Sequence, residues 1–416
     1  MDEPGAPVAG NGLLDRRLFL RGSLLGGVSL LATSASGMDR SGWMKAPGAP
    51  MSEQSEPSSH EAHVKRIAIR SAPGTTGAGI SSTPLQFLEG TITPSRLHFE
   101  RHHSGIPEIE PDDHRLVIHG MVERPLSFSL DSLSRYPMVS RIHFLECSGN
   151  SGELLAPEPI QASCGSLHGL VSGSEWSGVP LSLLLDEVGV SPKARWLVAD
   201  GADSAVMARS IPLEKAMDDA LLALYQNGER LRPSNGYPMR LFLPGWEGNL
   251  SVKWLRTIRL ADRPAMTREE TAKYTDLQAD GSARGFSFEM DVKSVITNPS
   301  PGLHLAQNGV YAISGMAWSG SGRVRCVEVS ADGGRSWAEA ALDEPVLPKS
   351  LTRFRIPWRW NGGEAVLLSR ATDEFGGVQP TRKALLARRS PAGFYHYNAM
   401  VAWKVSPGGE VTHVYA

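Results

Sequence analysis

Residues 144–153 read FLECSGNSGE, and an apolar alternation typical of a β-strand leads into them. The segment RIHFLEC, residues 141–147, alternates like a β-strand and ends at Cys147. A glycine-containing turn follows at once, so we expect the Cys147 sulfur to be held rigidly where a strand opens into a cleft. A thiol in that position suits a nucleophile or a ligand for a soft metal, although such a cysteine is more often only structural.

Regular patterns around this stretch predict an α+β domain over residues 84–265. RLVIHGMV (115–122) alternates like a strand, and RLFLP (240–244) and WLRTIRLA (254–261) are short apolar runs typical of buried strands. Residues 181–188 and 213–225 have helical spacing. Strands and helices mixed in this order favour an α+β architecture.

A second domain is predicted after a polar connection at residues 266–290. From residue 291 to 416 short alternating strands are separated by glycine-rich turns, and ADGG at 331–334 is typical of a tight hairpin. Such spacing without helices indicates an immunoglobulin-like β-sandwich. No Cys–Trp–Cys spacing accompanies it, so the likeness concerns architecture alone.

Charge and cysteine content exclude two broad classes. Lys and Arg number 42 against 44 Asp and Glu, with no basic stripe, so a nucleic-acid partner is not expected. Three cysteines are too few for a disulfide framework. Cys164 and Cys326 fall in no motif, and we expect buried or half-buried thiols there.

The amino terminus resembles an export signal. DRRLFLR at 15–21 is followed by GSLLGGVSLLATSASG, which is too short and too rich in Gly and Ser to span a bilayer. An ordinary first helix with a chance arginine pair is the alternative. We interpret residues 1–37 as a twin-arginine signal peptide and residues 38–83 as a flexible leader. The mature protein is then expected in the periplasm without a membrane span.

Two further segments carry candidate anion-binding groups. In PSRLHFERHHSGIP (94–107), Arg101 and His103 alternate, so an extended strand would point both to one side, as suits an oxyanion receptor. In residues 234–254, Arg240, Ser251 and Lys253 flank a glycine-rich turn that suits a phosphate. A solvated strand end and a β-turn with surface charges are the respective alternatives.

Five segments together resemble the sulfite oxidase family of molybdopterin enzymes. They occur in that family's order and span about residues 84–416, which implies a molybdopterin-binding domain followed by a dimerisation domain. The segments are FERHHSGIP (99–107), LECSGNS (145–151), EWSGVPL (175–181), NGYPMRLFLPGWEGNLSVKWL (235–255) and SGMAWSGSGRVRCVEVSADGGRSW (314–337).

The resemblance implies roles for individual residues around a molybdenum–molybdopterin cofactor, with no haem in this chain. Cys147 supplies the thiolate that binds molybdenum, and Tyr274 in TAKYTDL is the pocket tyrosine that faces metal and substrate. The remaining cofactor-binding set comprises Arg101, His103, Asn235, Arg240, Ser251 and Lys253, of which Arg101 also faces the substrate.

The sequence departs from relatives that oxidise free sulfite. Ser151 follows Asn150 where those relatives often carry arginine, and near the carboxyl terminus His396, Tyr397 and Asn398 replace a second pocket arginine. A buried site for a free dianion needs such charged donors. We therefore expect His396 to be the catalytic residue there and free sulfite to be a poor substrate.

These departures most resemble the molybdenum subunits of bacterial sulfane dehydrogenases, the SoxC group. That resemblance implies oxidation of sulfane sulfur on a carrier protein, with electrons passed to a separate c-type cytochrome subunit. It also implies a homodimer core within a heterotetramer. A sulfite:cytochrome c oxidoreductase and a cofactor-free secreted binding protein are the alternative functions.

Overall fold

The structure is a computed structural model that describes residues 7–18, 47, 49–70, 77–278, 280–389 and 395–416. Most of the expected signal peptide, residues 19–37, therefore lies outside the described residues. The strands are β1 (Pro7–Ala9), β2 (Leu13–Leu14), β3 (Ile67–Arg70), β4 (Gly79–Ser82), β5 (Glu100–His102), β6 (Arg115–Gly120), β7 (Leu126–Ser129), β8 (Val139–Glu146), β9 (Val171–Pro180), β10 (Trp196–Gly201), β11 (Ala208–Pro212), β12 (Leu221–Gln226), β13 (Glu229–Arg230), β14 (Arg240–Phe242), β15 (Leu255–Ala261), β16 (Asp276–Leu277), β17 (Ala283–Arg284), β18 (Lys293–Asn298), β19 (Gly309–Trp318), β20 (Val324–Ser330), β21 (Ala338–Glu339), β22 (Ala341–Leu342), β23 (Thr352–Trp360), β24 (Ala365–Asp373), β25 (Ala402–Val405) and β26 (Val411–Val414). The helices are α1 (Leu130–Leu133), α2 (Cys164–His168), α3 (Leu181–Val188), α4 (Leu213–Asp218) and α5 (Arg382–Arg388).

The first domain, residues 84–265, is built on two larger sheets. One has the order β11-β10-β15-β6-β7, and the other has the order β13-β12-β9-β8 with β14 paired to β12. Only β15 and β6 pair in parallel within these two sheets. The sheet that contains β8 matters most for the site, because β8 ends one residue before Cys147.

The helical expectation for residues 181–188 is confirmed, and that for 213–225 is half wrong. In α3, Leu181, Leu184, Leu185 and Val188 repeat at helical spacing and are all buried. Helix α4 ends at Asp218, and the remaining apolar run forms β12 between β9 and β14. Neighbours on both edges pair with this run, so tertiary pairing overrides its local helical spacing.

Residues from 293 onward form the expected β-sandwich. One sheet holds β23, β19 and β18 with β22 at its side, and the facing sheet has the order β21-β20-β24-β25-β26. Trp318, Trp358 and Trp403 are fully buried between them. Phe144 and Leu154 of the first domain join the same hydrophobic cluster, so the two domains share a continuous core.

Two stretches before residue 84 form strands, one within the expected signal peptide and one within the expected leader. Strand β3 pairs with β4, and β4 pairs with β5, which brings residues 67–70 and 79–82 onto the segment that carries Arg101. Residues 7–14 form β1 and β2, and β2 pairs with β23 of the sandwich. Leu13 and Leu14 are buried there, which gives this segment a core contact that composition alone does not reveal. No helix among the described residues is both long and apolar enough to cross a membrane.

Candidate molybdopterin site

The Cys147 loop is fixed by backbone hydrogen bonds on both sides. The Cys147 N–H donates to the Leu170 carbonyl at 2.9 Å, and the Asn150 N–H donates to the Cys147 carbonyl at 2.9 Å. The Asn150 amide also donates to a Glu146 carboxylate oxygen at 2.9 Å. Gly248 is required beside the loop, because a Cβ there would lie 2.8 Å from the Glu146 carbonyl oxygen. The backbone that carries the thiol is therefore held in one place.

A buried ion pair joins this loop to the sandwich. Lys293, the first residue of β18, donates to Glu146 at 3.2 Å and to the Ser151 hydroxyl at 2.7 Å. The Trp318 indole N–H donates to the other Glu146 oxygen at 2.6 Å. Side chains of Lys293 and Glu146 are only 2% and 1% exposed. The sandwich thus takes part in positioning the Cys147 loop from behind.

Cations converge on one pocket beside Cys147. Arg101, Arg240 and Lys253 line it together with Cys147 and Tyr274. The Lys253 ammonium donates to the carbonyls of Arg101 at 3.2 Å and Ser234 at 3.1 Å, and contacts His102 Nδ1 at 2.8 Å. Arg240 donates to the carbonyls of Asn235 at 3.0 Å and Ser251 at 2.7 Å. These direct partners are neutral oxygens and an imidazole. The carboxylates of Glu100 and Asp203 also line the pocket and offset only part of the positive charge.

The pKa values of the pocket residues are shifted because these charged groups are buried. Burial lowers the pKa of Arg240 to about 9. Burial also holds the pKa of Lys253 well below its usual range, and the Arg240 charge lowers it further. Burial raises the pKa of the Cys147 thiol, while the Arg101 charge opposes that rise. An anionic ligand bound among these groups removes the electrostatic penalty of the cations.

Unpartnered polar atoms in the pocket residues test whether a cofactor fits. Among the described residues, Arg240 Nε, His98 Nε2 and Asn249 Oδ1 are buried without a hydrogen-bond partner, and all three residues line the pocket. Buried polar atoms are rarely left in this state. No cluster of three His, Cys, Asp or Glu side chains within the described residues could hold a metal ion. One thiolate beside a cationic pocket fits a metal whose other ligands come from an anionic pterin.

Tyr274 lies at the pocket wall and is held from several sides. Its hydroxyl is 3.2 Å from His103 Nε2, and its ring lies 5.0 Å from the Arg209 guanidinium and 5.3 Å from the Tyr395 ring. Burial lowers the pKa of His103 to about 4 and raises that of Tyr274. At neutral pH, His103 is thus neutral and Tyr274 keeps its proton. The phenol is positioned as a hydrogen-bond donor or acceptor beside Cys147.

The other expected cofactor residues lie at the pocket as well. Asn235 and Ser251 both line it, and each supplies a backbone carbonyl to Arg240. The Ser251 hydroxyl accepts the Leu243 N–H at 3.0 Å. His103 lines the pocket too, although β5 ends at His102 and the simple strand alternation stops there.

His396 does not lie among the residues that line this pocket. It is 3% exposed, and its ring contacts Glu247 at 3.4 Å and the Glu289 carbonyl at 3.1 Å. Its backbone N–H donates to the Ser148 carbonyl at 2.9 Å. The side chain turns to a buried carboxylate, and the backbone braces the Cys147 loop, so a substrate contact of His396 stays a prediction. Tyr397 and Asn398 are also buried.

Several site residues escaped sequence reasoning. His102 lies between Glu100 at 3.3 Å and Lys253 at 2.8 Å. Asn249 bridges the Ser148 hydroxyl at 3.1 Å and Glu247 at 2.9 Å. Tyr395 lies near Gly149, where an added Cβ would be 4.0 Å from its ring. The sequence does contain two histidines at 102–103 and two polar residues, Glu247 and Asn249, in GWEGN, which could have been taken as site candidates. Only the fold shows which of these side chains turns towards the pocket.

Comparisons with known proteins agree with this site. Residues 103–269 match the oxidoreductase molybdopterin binding domain, and residues 284–401 match the Mo-co oxidoreductase dimerisation domain, together more than half of the chain. The fold and site thus define a molybdopterin oxidoreductase. The chain belongs to the sulfite oxidase family of these enzymes.

Individual relatives refine the comparison. The chain is 30% identical over 322 residues to mouse mitochondrial sulfite oxidase, across 71% of this chain and 59% of that protein. It is 29% identical over 332 residues to the NADH nitrate reductase of Ulva prolifera, across 70% of this chain and 38% of that protein. The chain therefore spans only 59% and 38% of the lengths of these two curated relatives.

One solved structure matches over nearly its whole length. The sulfane dehydrogenase SoxCD from Paracoccus pantotrophus superimposes with a TM-score of 0.83 at 44% identity. The match covers 94% of this chain and 98% of that chain. The chain is thus SoxC-like in fold and sequence, as the resemblance implied.

Proposed function

We propose that this protein is the molybdenum subunit of a periplasmic sulfane dehydrogenase that oxidises sulfur bound to a carrier protein. The observation that carries the proposal is the convergence of Cys147, Arg101, Arg240, Lys253 and Tyr274 on one pocket. The extensive match to the sulfane dehydrogenase structure supports this choice among relatives.

Each residue has a distinct task in this proposal. A molybdenum–pterin group supplies oxygen-atom transfer to sulfur and accepts two electrons. Cys147 holds the metal through its thiolate. Arg240 and Lys253 bind the anionic end of the pterin, and their neutral partners fix the orientation of both cations. Tyr274 and Arg101 orient the substrate at the opening.

The walls near the Cys147 loop favour sulfur that carries little charge. Ser151 follows Asn150, but its hydroxyl contacts His168 at 2.7 Å and Lys293 at 2.7 Å in the interior. The Tyr395 ring faces Tyr274 on the other side. No additional arginine approaches from these two positions. Once a pterin occupies Arg240 and Lys253, Arg101 is the cation that we assign to the substrate. A free dianion therefore has few charged donors in this site.

Location and partners complete the proposal. The arginine pair at 16–17 supports twin-arginine export to the periplasm, and the dimerisation domain supports a homodimer core. The SoxCD match supports a c-type cytochrome subunit as electron acceptor, which gives a heterotetramer. The substrate would reach the pocket on the sulfur carrier protein.

Metal content and electron transfer test the proposal. We expect about one molybdenum per chain in protein from a host that makes the cofactor. Cys147→Ser should abolish reduction of a c-type cytochrome, while Cys164→Ser, a change at a buried cysteine outside the pocket, should leave metal content unchanged. A fully active Cys147→Ser protein would reject the assignment.

Substrate comparison separates this function from the alternative. Steady-state rates with carrier-bound sulfane and with free sulfite should differ by orders of magnitude in favour of the carrier. Efficient turnover of free sulfite without a carrier supports a sulfite:cytochrome c oxidoreductase instead, which the likeness to mouse sulfite oxidase keeps as the second candidate. A metal-free, pterin-free protein from such a host would indicate the binding-protein function.

A further inference from the structure

Residues 7–18 bind the sandwich through a set of specific contacts. Leu13 pairs with Trp358 of β23 and is 0% exposed, within the sandwich core. The Asn11 carbonyl accepts the Trp358 indole N–H at 2.8 Å. The Asn11 amide donates to the carbonyls of Ala331 at 2.8 Å and Glu364 at 3.2 Å. This segment therefore occupies a formed slot rather than lying loosely on the surface.

Two glycines, Gly10 and Gly12, allow residues 7–18 to fit closely against the sandwich. Gly12 has a φ of +89°, and a Cβ at this position would lie 2.1 Å from the Arg359 carbonyl oxygen. The Gly10 N–H donates to the Ser336 hydroxyl at 2.7 Å. Any larger residue at position 12 would clash with the backbone of β23. The fit thus depends on this particular sequence, GNGLL, at residues 10–14.

The slot is assembled from residues that are distant in sequence. Its contacts come from the hairpin at Ala331 and Ser336, from Trp358 and Arg359 of β23, and from Glu364 ahead of β24. Such a surface exists only when these strands have paired. The amino-terminal segment can therefore dock only after the sandwich has folded.

The arginine pair follows the docked residues directly. Arg16 forms an ion pair with Glu339 and donates to the Ala340 carbonyl at 3.4 Å. The Arg17 N–H is capped by the Asp15 carboxylate at 2.8 Å, while its side chain is exposed. A receptor that binds both arginines in an extended chain must first break the Arg16–Glu339 contact.

We propose that this slot is an export latch whose occupant is residues 7–18 of the same chain. The docked segment holds Arg16 of the arginine pair against the folded sandwich and delays capture of the pair by the export machinery, which gives time for cofactor insertion. The latch rests on the proposed twin-arginine signal. An export receptor binds only the released fraction, so the export rate follows the population of the undocked state.

The test compares full-length precursors in a bacterial host with a twin-arginine translocase and cofactor synthesis. Leu13→Asp should release the segment, whereas Val8→Asp adds the same charge at a position that is 49% exposed. Glu339→Lys removes the Arg16 contact without touching the core, so it covers the case in which Leu13→Asp does not fold. Pulse–chase export, molybdenum content of the exported protein, and hydrogen–deuterium exchange of residues 7–18 are measured.

We expect Leu13→Asp and Glu339→Lys to be exported several-fold faster than wild type, up to about tenfold for Leu13→Asp. A smaller share of the exported protein should contain molybdenum, and the exchange protection of residues 7–18 should fall. Val8→Asp should match wild type. Unchanged or slower export despite lost protection would overturn the latch, as would a wild-type segment without protection. The double change Arg16→Lys, Arg17→Lys separates the proposals: continued export would refute the signal itself.

Discussion

Replacing Lys293 by methionine tests whether the sandwich positions the Cys147 loop. Methionine keeps most of the apolar stem of lysine but removes the ammonium group. Glu146 would then lose its cation and keep the donors on Asn150 and Trp318. The Ser151 hydroxyl would lose the Lys293 ammonium at 2.7 Å and keep its contact with His168. The change therefore removes one buried cation, with its two hydrogen bonds, from between the two parts of the protein.

The expected loss of stability follows from the burial of both Lys293 and Glu146. Removing one partner of a buried ion pair typically costs about 3–5 kcal/mol, because the remaining charge has no counter-ion. Two donors still solvate the Glu146 carboxylate, so we take the lower end, about 3 kcal/mol. This loss should appear as a lower midpoint of urea unfolding, measured on the cofactor-free protein.

A double-mutant cycle with Glu146→Gln separates the pair from general damage. The double variant should be less destabilised than the sum of the single variants by about 2 kcal/mol or more. Lys383→Met, at an exposed lysine on α5, is the matched control and should change stability by less than about 0.5 kcal/mol. The single Lys293 variant should also alkylate Cys147 faster in the cofactor-free protein. Strict additivity, or a loss below about 1 kcal/mol, would refute the reasoning.

Three further predictions concern the pocket. Arg240→Met should lower cofactor content at least tenfold, while the fold survives by circular dichroism, because a buried cation at the anionic end of the cofactor is lost; wild-type content would contradict the assigned role. Tyr274→Phe should lower kcat by about 10²-fold with intact metal content, since one positioned hydroxyl is removed; an unchanged kcat would place the phenol outside the reaction. Burial lowers the pKa of His98 to about 3 from about 6.5. Between these values the unfolded chain binds a proton that the folded chain refuses, so stability falls as pH drops from 6.5 towards 3, by up to about 1.4 kcal/mol per pH unit. His98→Gln should remove this part of the slope in urea titrations at several pH values, and an unaltered slope would mean that His98 titrates normally.

Sequence periodicity predicted secondary structure correctly where a segment keeps one period, helical or extended, over its whole length. Helix α3 was predicted from the spacing of its leucines, and the strand that ends at Cys147 from alternation followed by a glycine turn. Residues 213–225 misled the prediction because their second half pairs with strands on both edges. Helical spacing cannot report pairing partners that are distant in sequence.

In the site, sequence motifs identified the segments, but they did not show which way each side chain points. Cys147, Arg240 and Lys253 were identified through their segments, and they meet in the pocket. His396 was identified by its position near the carboxyl terminus, but it turns to Glu247 in the interior. His102 and Asn249 were overlooked, since only packing decides which polar side chain of a segment turns towards a cavity.

The family, the order of the two domains and the residue types available for a metal thiolate and an anionic cofactor can be read from the sequence, because local motifs and their order along the chain carry this information. The folded structure is needed to show which of those groups are buried together. It also showed that Lys293 of the sandwich reaches Glu146 and that residues 7–14 complete the edge of a distant sheet. The physical reason is that burial and charge pairing arise between segments hundreds of residues apart, where no local period of the sequence records the contact.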